Sequence, residues 1–415
     1  MKSILPESAG KALIAGLIGL IILAPTRGLT NPDQTEKEVD PRLTAASSRF
    51  SFKLYSQLLK ERTAPNTLVS PTSLMLALAM TYNGADGTTR DAMARALEIE
   101  GMSLDEVNRA FADLRSSLDS ADPKVKLKIA NSLWARNGFV PKPSFLARNK
   151  QFYGADITSL NFADPAAADT INSWVNKNTD GKIPKIIDRI KPDEVLFLIN
   201  ALYFKGQWQF EFDKKNTKPE TFKLPGGEQK KLPMMSQSSS NYMHYKGKDF
   251  QAVALPYGQG RVSMYVFLPD EQSSLEQFER NLTAENWESW MNSFGFAPGD
   301  LMLPRFKVEW SSTLNDTLKA LGMAEAFDGR ANFSQIAELR NGNKLFISEV
   351  KQKTFAEVNE EGTVAAAVTS VGVGLASVQV PREKFVMKVD RPFFFAIRDN
   401  VSGVLLFMGS ITNPE

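Results

Sequence analysis

Along residues 47–59 the apolar side chains Phe50, Leu54 and Leu58 recur every four positions with Leu59 beside them, the spacing of one face of an amphipathic helix. Residues 66–69 read as a short strand. Ser70-Pro71 then opens a second helix, with Ser as N-cap and Pro at the first helical position, where its missing N–H costs nothing. That helix, residues 71–82 (PTSLMLALAMTY), is apolar nearly all round and must be buried. Asn83-Gly84 ends it. Residues 88–97 predict a third helix, and Ser103 with Glu106 forms a capping box for a fourth through about Leu118.

Strand patterns follow. Residues 126–135 alternate, whereas residues 195–204 (VLFLINALYF) are nearly continuously apolar, as in a strand covered on both faces. Residues 262–268, closed by Pro269-Asp270, predict another. Helical spacings lie between them at residues 145–153, 166–178 and 314–321. A long extended segment runs over residues 344–358, and two short apolar strands, residues 393–397 and 403–407, flank a turn at Asp399-Asn400. Helices first and strands later, with no internal repeat and no Gly/Ser linker, predict one α+β domain over residues 45–415.

The amino terminus differs. Residues 12–24 (ALIAGLIGLIILA) are an uninterrupted apolar and glycine run behind Lys2 and Lys11, long enough for a secretory leader and short for a membrane span. The cleavage signal after it is poor. Residues 1–30 therefore read as a signal peptide or an uncleaved anchor, and the protein as exported, secreted or periplasmic. Residues 31–44 read as a polar linker.

Composition then narrows the chemistry. The 415 residues include one histidine, His244, and no cysteine. Disulfides, thiol nucleophiles and Cys-based zinc sites are excluded, and no metal or other cofactor is expected. A Ser-His-Asp hydrolase needs only one His, but no G-x-S-x-G sequence accompanies it. Net charge is +2, and residues 31–415 alone carry 46 basic and 46 acidic side chains. No basic excess exists to neutralise a nucleic acid backbone.

Residues 362–381 (GTVAAAVTSVGVGLASVQVP) contain no charge and fill strand-like positions with small side chains. Their glycines and polar residues argue against a membrane span or a helix. An ordinary strand-turn-strand is the plain alternative. In context, however, this stretch joins a wider pattern: residues 52–97 (FKLYSQLL…NTLVSPTSLMLALAMTYNGADGTTRDAMARAL), 200–208 (NALYFKGQW), 303–307 (LPRFK), 355–367 (FAEVNEEGTVAAA) and 390–414 (DRPFFFAIRDNVSGVLLFMGSITNP). In order and separation they resemble a serpin across residues 45–415.

The resemblance implies three β-sheets with about eight or nine helices and an exposed reactive-centre loop. It implies a serine protease inhibitor of the suicide-substrate type. A target protease cleaves the loop, stays attached as an acyl-enzyme, and is displaced as the loop inserts as a central strand of the main sheet. Glu360, Glu361, Gly362, Thr363, Val364, Ala365, Ala366 and Ala367 match the hinge. On an inserted strand Thr363, Ala365, Ala367 and Thr369 face one way and Val364, Ala366, Val368 and Ser370 the other. Small uncharged side chains allow that passage through a packed sheet. Val364 departs from the family's frequent Glu on the outward side.

Ser70, Ser73, Asn200 and Gln352 match the polar shutter beneath the sheet, with Ser70 expected to cap its helix as well. Gln352 stands where the family often has histidine, which removes a titrating group there. Trp208 and Arg305 match the breach at the top of the sheet, Arg305 as partner of Glu360; the plain alternative is an exposed ion pair worth under about 1 kcal/mol. The family's loop length places the scissile bond at Ala376-Ser377, with Leu375-Ala376 second and Val378-Gln379 third. Small alanine suits an elastase-like or subtilisin-like protease. The mixed charges of residues 103–118 lack the basic stripe of a heparin-type activator site. A monomer is expected, with loop-sheet polymers as its failure mode. The rival to inhibition is a non-inhibitory serpin acting as carrier or structural protein.

Overall fold

The first helix, α1 (Pro41–Lys60), begins earlier than its apolar spacing predicts. Asp40 caps it, accepting the Arg42 amide at 2.9 Å, and Pro41 takes the first helical turn. Val39 and Leu43 are already buried, so folded structure starts within the segment read as linker. The computed structural model describes residues 39–62, 64–119, 122–191, 194–337, 345–363 and 383–414.

Eight further helices lie among these residues: α2 (Pro71–Tyr82), α3 (Gly87–Ala96), α4 (Leu104–Asp119), α5 (Pro143–Tyr153), α6 (Ala166–Asn178), α7 (Leu275–Arg280), α8 (Ala284–Met291) and α9 (Asn315–Leu318). The strands are β1 (Thr67–Val69), β2 (Val125–Arg136), β3 (Asp156–Leu160), β4 (Leu196–Gln207), β5 (Lys218–Lys223), β6 (Gln229–Lys246), β7 (Phe250–Pro256) and β8 (Val262–Pro269). They continue with β9 (Gly295–Pro304), β10 (Phe306–Thr313), β11 (Glu349–Asn359), β12 (Gly362–Thr363), β13 (Phe385–Lys388), β14 (Phe393–Asp399) and β15 (Leu405–Ile411).

The main sheet has the order β10-β11-β12-β4-β2-β3. Its nearly continuous apolar strand, β4, is covered twice. Leu196, Leu198, Leu202 and Phe204 join the central core, while Phe197, Ile199 and Ala201 pack with Ile171 and Val175 of α6 on the other face. Every residue of α2 is buried, because the helix runs between β15 and the β2/β4 side of the main sheet. It thus forms a floor under the strands that would have to part.

The other ladder runs β1-β15-β14-β8-β7-β6-β9-β13, with β5 on β6. Three separate sheets were expected. Here the 18-residue β6 is continuous, and a register shift between Ser239 and Tyr242 against β9 bends one ladder into two parts. The predicted helix at 314–321 is also interrupted: α9 ends at Leu318 and gives way to irregular turns around Gly322, whose φ is 106°.

Candidate functional site

The chain rises along β11, turns at Glu360 and Glu361, and re-enters the main sheet as β12. Gly362 and Thr363 pair antiparallel with Asn359 and Val358 on one side and with Gln207 and Gly206 on the other. Farther along, β11 and β4 pair directly and in parallel, from Glu349 opposite Phe197 to Phe355 opposite Tyr203. The sheet is therefore parted at one end by two residues and closed along the rest.

Glycine is required at this entry. Gly362 has φ 140°, and a Cβ there would sit 2.1 Å from the Gly206 carbonyl oxygen and 2.7 Å from Gln207 Cα. Both obstacles are backbone, so neither can swing away. Gly362→Ala should expel β12 from the sheet. The amides of Trp208 and Phe212, which donate to the carbonyls of Glu361 and Glu360 at 2.9 Å each, would then exchange with solvent at least about tenfold faster. Unchanged exchange would show that β12 tolerates a side chain.

Around this entry the polar groups are paired, with Glu360 and Thr363 buried while Arg305 and Lys214 stay exposed. The Trp208 indole N–H donates to the Asn359 carbonyl at 2.9 Å, and its ring stacks on Tyr257 with centroids 4.3 Å apart. The Tyr257 hydroxyl lies 2.9 Å from Thr363 Oγ1, so the inserted threonine is gripped from below. The Glu360 side chain is only 2% exposed; its Oε1 accepts from Arg305 Nε at 2.8 Å and from Thr217 Oγ1 at 2.5 Å. Lys214 pairs with Glu361. The pair at Glu360 is thus no exposed surface bridge on its acidic side.

Midway down the sheet lies a second polar cluster. Gln352 on β11 faces Asn200 on β4, which faces Asn131 on β2. Gln352 Nε2 donates to the Ser70 carbonyl at 3.0 Å and to Asn200 Oδ1, while its Oε1 accepts the Ser70 amide at 3.0 Å. Asn200 Nδ2 donates to the Ser73 carbonyl at 3.2 Å and to Asn131 Oδ1. One network therefore ties three adjacent strands to the start of α2, and any strand entering between β11 and β4 must break it.

A family model described as serpin (serine protease inhibitor) matches residues 45–414. The chain belongs to the serpin family. It is 35% identical over 384 residues to the leukocyte elastase inhibitor of Sus scrofa, covering 90% of this chain and all of that one. An uncharacterised serpin-like protein of Methanosarcina acetivorans is 33% identical, over 93% of this chain and 90% of its own length. Among solved structures, the thermophilic serpin tengpin in its native state superposes with a TM-score of 0.83 at 34% identity, covering 92% of this chain and 96% of that one. This serpin is accordingly an inhibitor of serine proteases and not an enzyme.

Of the residues matched to the hinge, Glu360, Glu361, Gly362 and Thr363 come together with Trp208 and Arg305, and the residues matched to the shutter, Ser70, Ser73, Asn200 and Gln352, share one hydrogen-bond network. Val364, Ala365, Ala366, Ala367, Leu375, Ala376 and Ser377 lie outside the described residues. Ser70 corrects one expectation: it occupies the N-cap position of α2, but its hydroxyl donates to the Leu406 carbonyl at 2.6 Å instead of capping. The demand of the sheet interface outweighs the local one. Sequence reasoning missed Thr217, Lys214, Tyr257 and Asn131. Only Asn131 carried a signal, a lone amide in an otherwise half-apolar strand. His244 stacks on Phe385 with centroids 3.9 Å apart, and burial holds its pKa below the usual imidazole value. It packs as a ring.

Proposed function

We propose that this serpin traps elastase-like or subtilisin-like serine proteases as a suicide substrate. The protease serine attacks the Ala376 carbonyl, an ester to Ala376 forms, and the amino group of Ser377 leaves as the new amine terminus. The freed strand then continues the path that Gly362 and Thr363 already occupy between β11 and β4, and carries the acyl-enzyme with it. The observation supporting this reading is that two-residue entry, antiparallel to both neighbours, above a ladder held shut by the shutter. The resemblance to leukocyte elastase inhibitors points to the same protease class. Residues 1–30, as a leader or anchor, place the encounter outside the cytoplasm.

Mixing the protein with pancreatic elastase, with subtilisin and with trypsin, followed by denaturing electrophoresis, tests the proposal. A heat-stable covalent complex with elastase or subtilisin is expected, and the released peptide should begin at Ser377 by mass spectrometry. Loop cleavage without a complex would favour a carrier role, and a complex formed with trypsin alone would overturn the target assignment.

A further inference from the structure

Residues 364–382 lead from the hinge to β13, the last strand of the larger ladder, which pairs in parallel with β9 alone, from Phe385 opposite Gly299 to Lys388 opposite Met302. Four residues at a sheet edge, paired in parallel, hold weakly by backbone alone. Met387 anchors the middle of β13 in the core, whereas Val386 is 60% exposed. The end nearest the loop is held by the Phe385 ring. That ring lies flat on the His244 imidazole, with centroids 3.9 Å apart and planes 8° from parallel, and Tyr242 meets it edge-on at 5.7 Å. A Cβ on Gly299 would come within 2.2 Å of the same ring, so the bare glycine makes its space. Gln251 on β7 completes the seat: its Nε2 donates to the Val386 carbonyl at 3.3 Å, and its Oε1 lies 3.4 Å from His244 Nε2.

His244 is the one imidazole in the chain, and an imidazole is the side chain whose charge ordinarily changes between pH 5 and 8. We infer that His244 and Phe385 form a pH-sensitive clasp that positions the C-terminal root of the reactive loop, firm at neutral pH and loosened in mild acid. The clasp takes its purpose from the inhibitory mechanism proposed above, but its test needs no protease.

Protonation puts a cation under the Phe385 ring, where the sheet keeps water away, and lifting β13 gives that water back. Burial holds the imidazole pKa below its ordinary 6.5; the contact with Gln251 opposes this more weakly, and Lys246 on the same strand lowers it further. No carboxylate among the described residues pairs with it. Across the sheet His244 stands opposite Val253 on β7 and Gly295 on β9. The neighbouring acids are engaged elsewhere: Asp270 with Lys246 at 2.7 Å, and Asp300 of β9 with Lys384 beside β13 at 2.8 Å. Glu383, two residues before Phe385, is exposed, and Tyr242 stays neutral because burial pushes its hydroxyl up. A depressed imidazole contributes stability that is fully present above 6.5 and is lost as pH falls from there through the lower value in the folded protein.

Amide exchange of the full chain, corrected for intrinsic rate and compared at about pH 7.5 and 5.5, tests the clasp. At the lower pH a free imidazole is about tenfold more charged than neutral, so protection of β13 should fall by about threefold to tenfold while β14 and β15 keep theirs. His244→Phe retains a ring and removes the charge, and should leave β13 protection equal at the two pH values. The single imidazole should also titrate below 6.5 by NMR. No fall in the unaltered protein, an equal fall in His244→Phe, or titration at or above 6.5 overturns the proposal. Should His244→Phe fail to fold by its melting curve, the titration and the exchange of the unaltered protein decide the question.

Discussion

A single cut in the reactive loop, between residues 364 and 382, should raise the melting temperature of this protein by about 10–20 °C. Insertion breaks one parallel ladder, the seven register pairs from Glu349–Phe197 to Phe355–Tyr203, and replaces it with two antiparallel ones. The difference is about one additional ladder, each hydrogen bond contributing about 1 kcal/mol net, plus the burial of valine and alanine methyl groups. On the order of 10 kcal/mol is a gain as large as the stability of a typical domain. The uncut protein cannot reach that state because its loop is tethered at both ends, and the shutter network must open first. Under the proposed mechanism it is held by a barrier and not by equilibrium. Limited proteolysis by a protease that does not form a complex, followed by calorimetry, reads the effect; superposable melting curves for cut and uncut protein would exclude insertion.

Reversal of charge at Glu360 should have the other large effect. In the native protein its carboxylate is nearly inaccessible and takes hydrogen bonds from Arg305 and Thr217. Glu360→Lys would place a second cation against Arg305 and leave a buried ammonium unpaired, a cost of several kcal/mol. The hinge would be driven out, leaving the upper end of β4 and β11 without a filling strand and open to the loop of another molecule. Polymers should accumulate about tenfold faster than from the unaltered protein on mild heating, read by native electrophoresis. An unchanged yield would mean that the pair does not hold the hinge.

Acidification should act at the same place. Burial by itself would raise the Glu360 carboxyl, but the hydrogen bonds from Arg305 and Thr217, with the charge of Arg305, outweigh it and hold the pKa below its ordinary 4.5. A carboxylate depressed on folding contributes stability that is fully present above the unfolded value and is lost as pH falls through the folded one. Polymerisation should therefore stay flat above about pH 5 and rise below 4.5. The shutter adds no further step near neutrality, since Gln352 does not titrate.

Much of this architecture was legible because local signals agree with the global fold. The spacing of Phe50, Leu54 and Leu58, the Ser103 and Glu106 capping box, and the continuous apolar run of β4 each correspond to an element that forms. Legibility failed where partners are distant in sequence. Nothing in Thr217 announces that its hydroxyl lies against Glu360, and nothing in Tyr257-Gly258 announces a ring beneath Thr363. The start of α1 was missed for another reason: its cap and proline lie in a polar stretch, where Leu43 and the small Ala46 alone extend the apolar face that Phe50 continues.

The sequence alone determined the class of chemistry. With no cysteine, one histidine and a charge-free stretch beyond Gly362, the chain is suited, under the proposed function, to supply a strand and leave the nucleophile to the protease. Tertiary structure decided how far that strand has already gone. The depth of entry depends on register: Gly362 meets the Gly206 and Gln207 backbone, Thr363 meets Tyr257, and Gln352 locks to Asn200 where the ladder is still closed. These contacts join segments about 106 to 156 residues apart along the chain. Only the packed fold, where an extra Cβ or an unpaired amide has nowhere to go, can specify them.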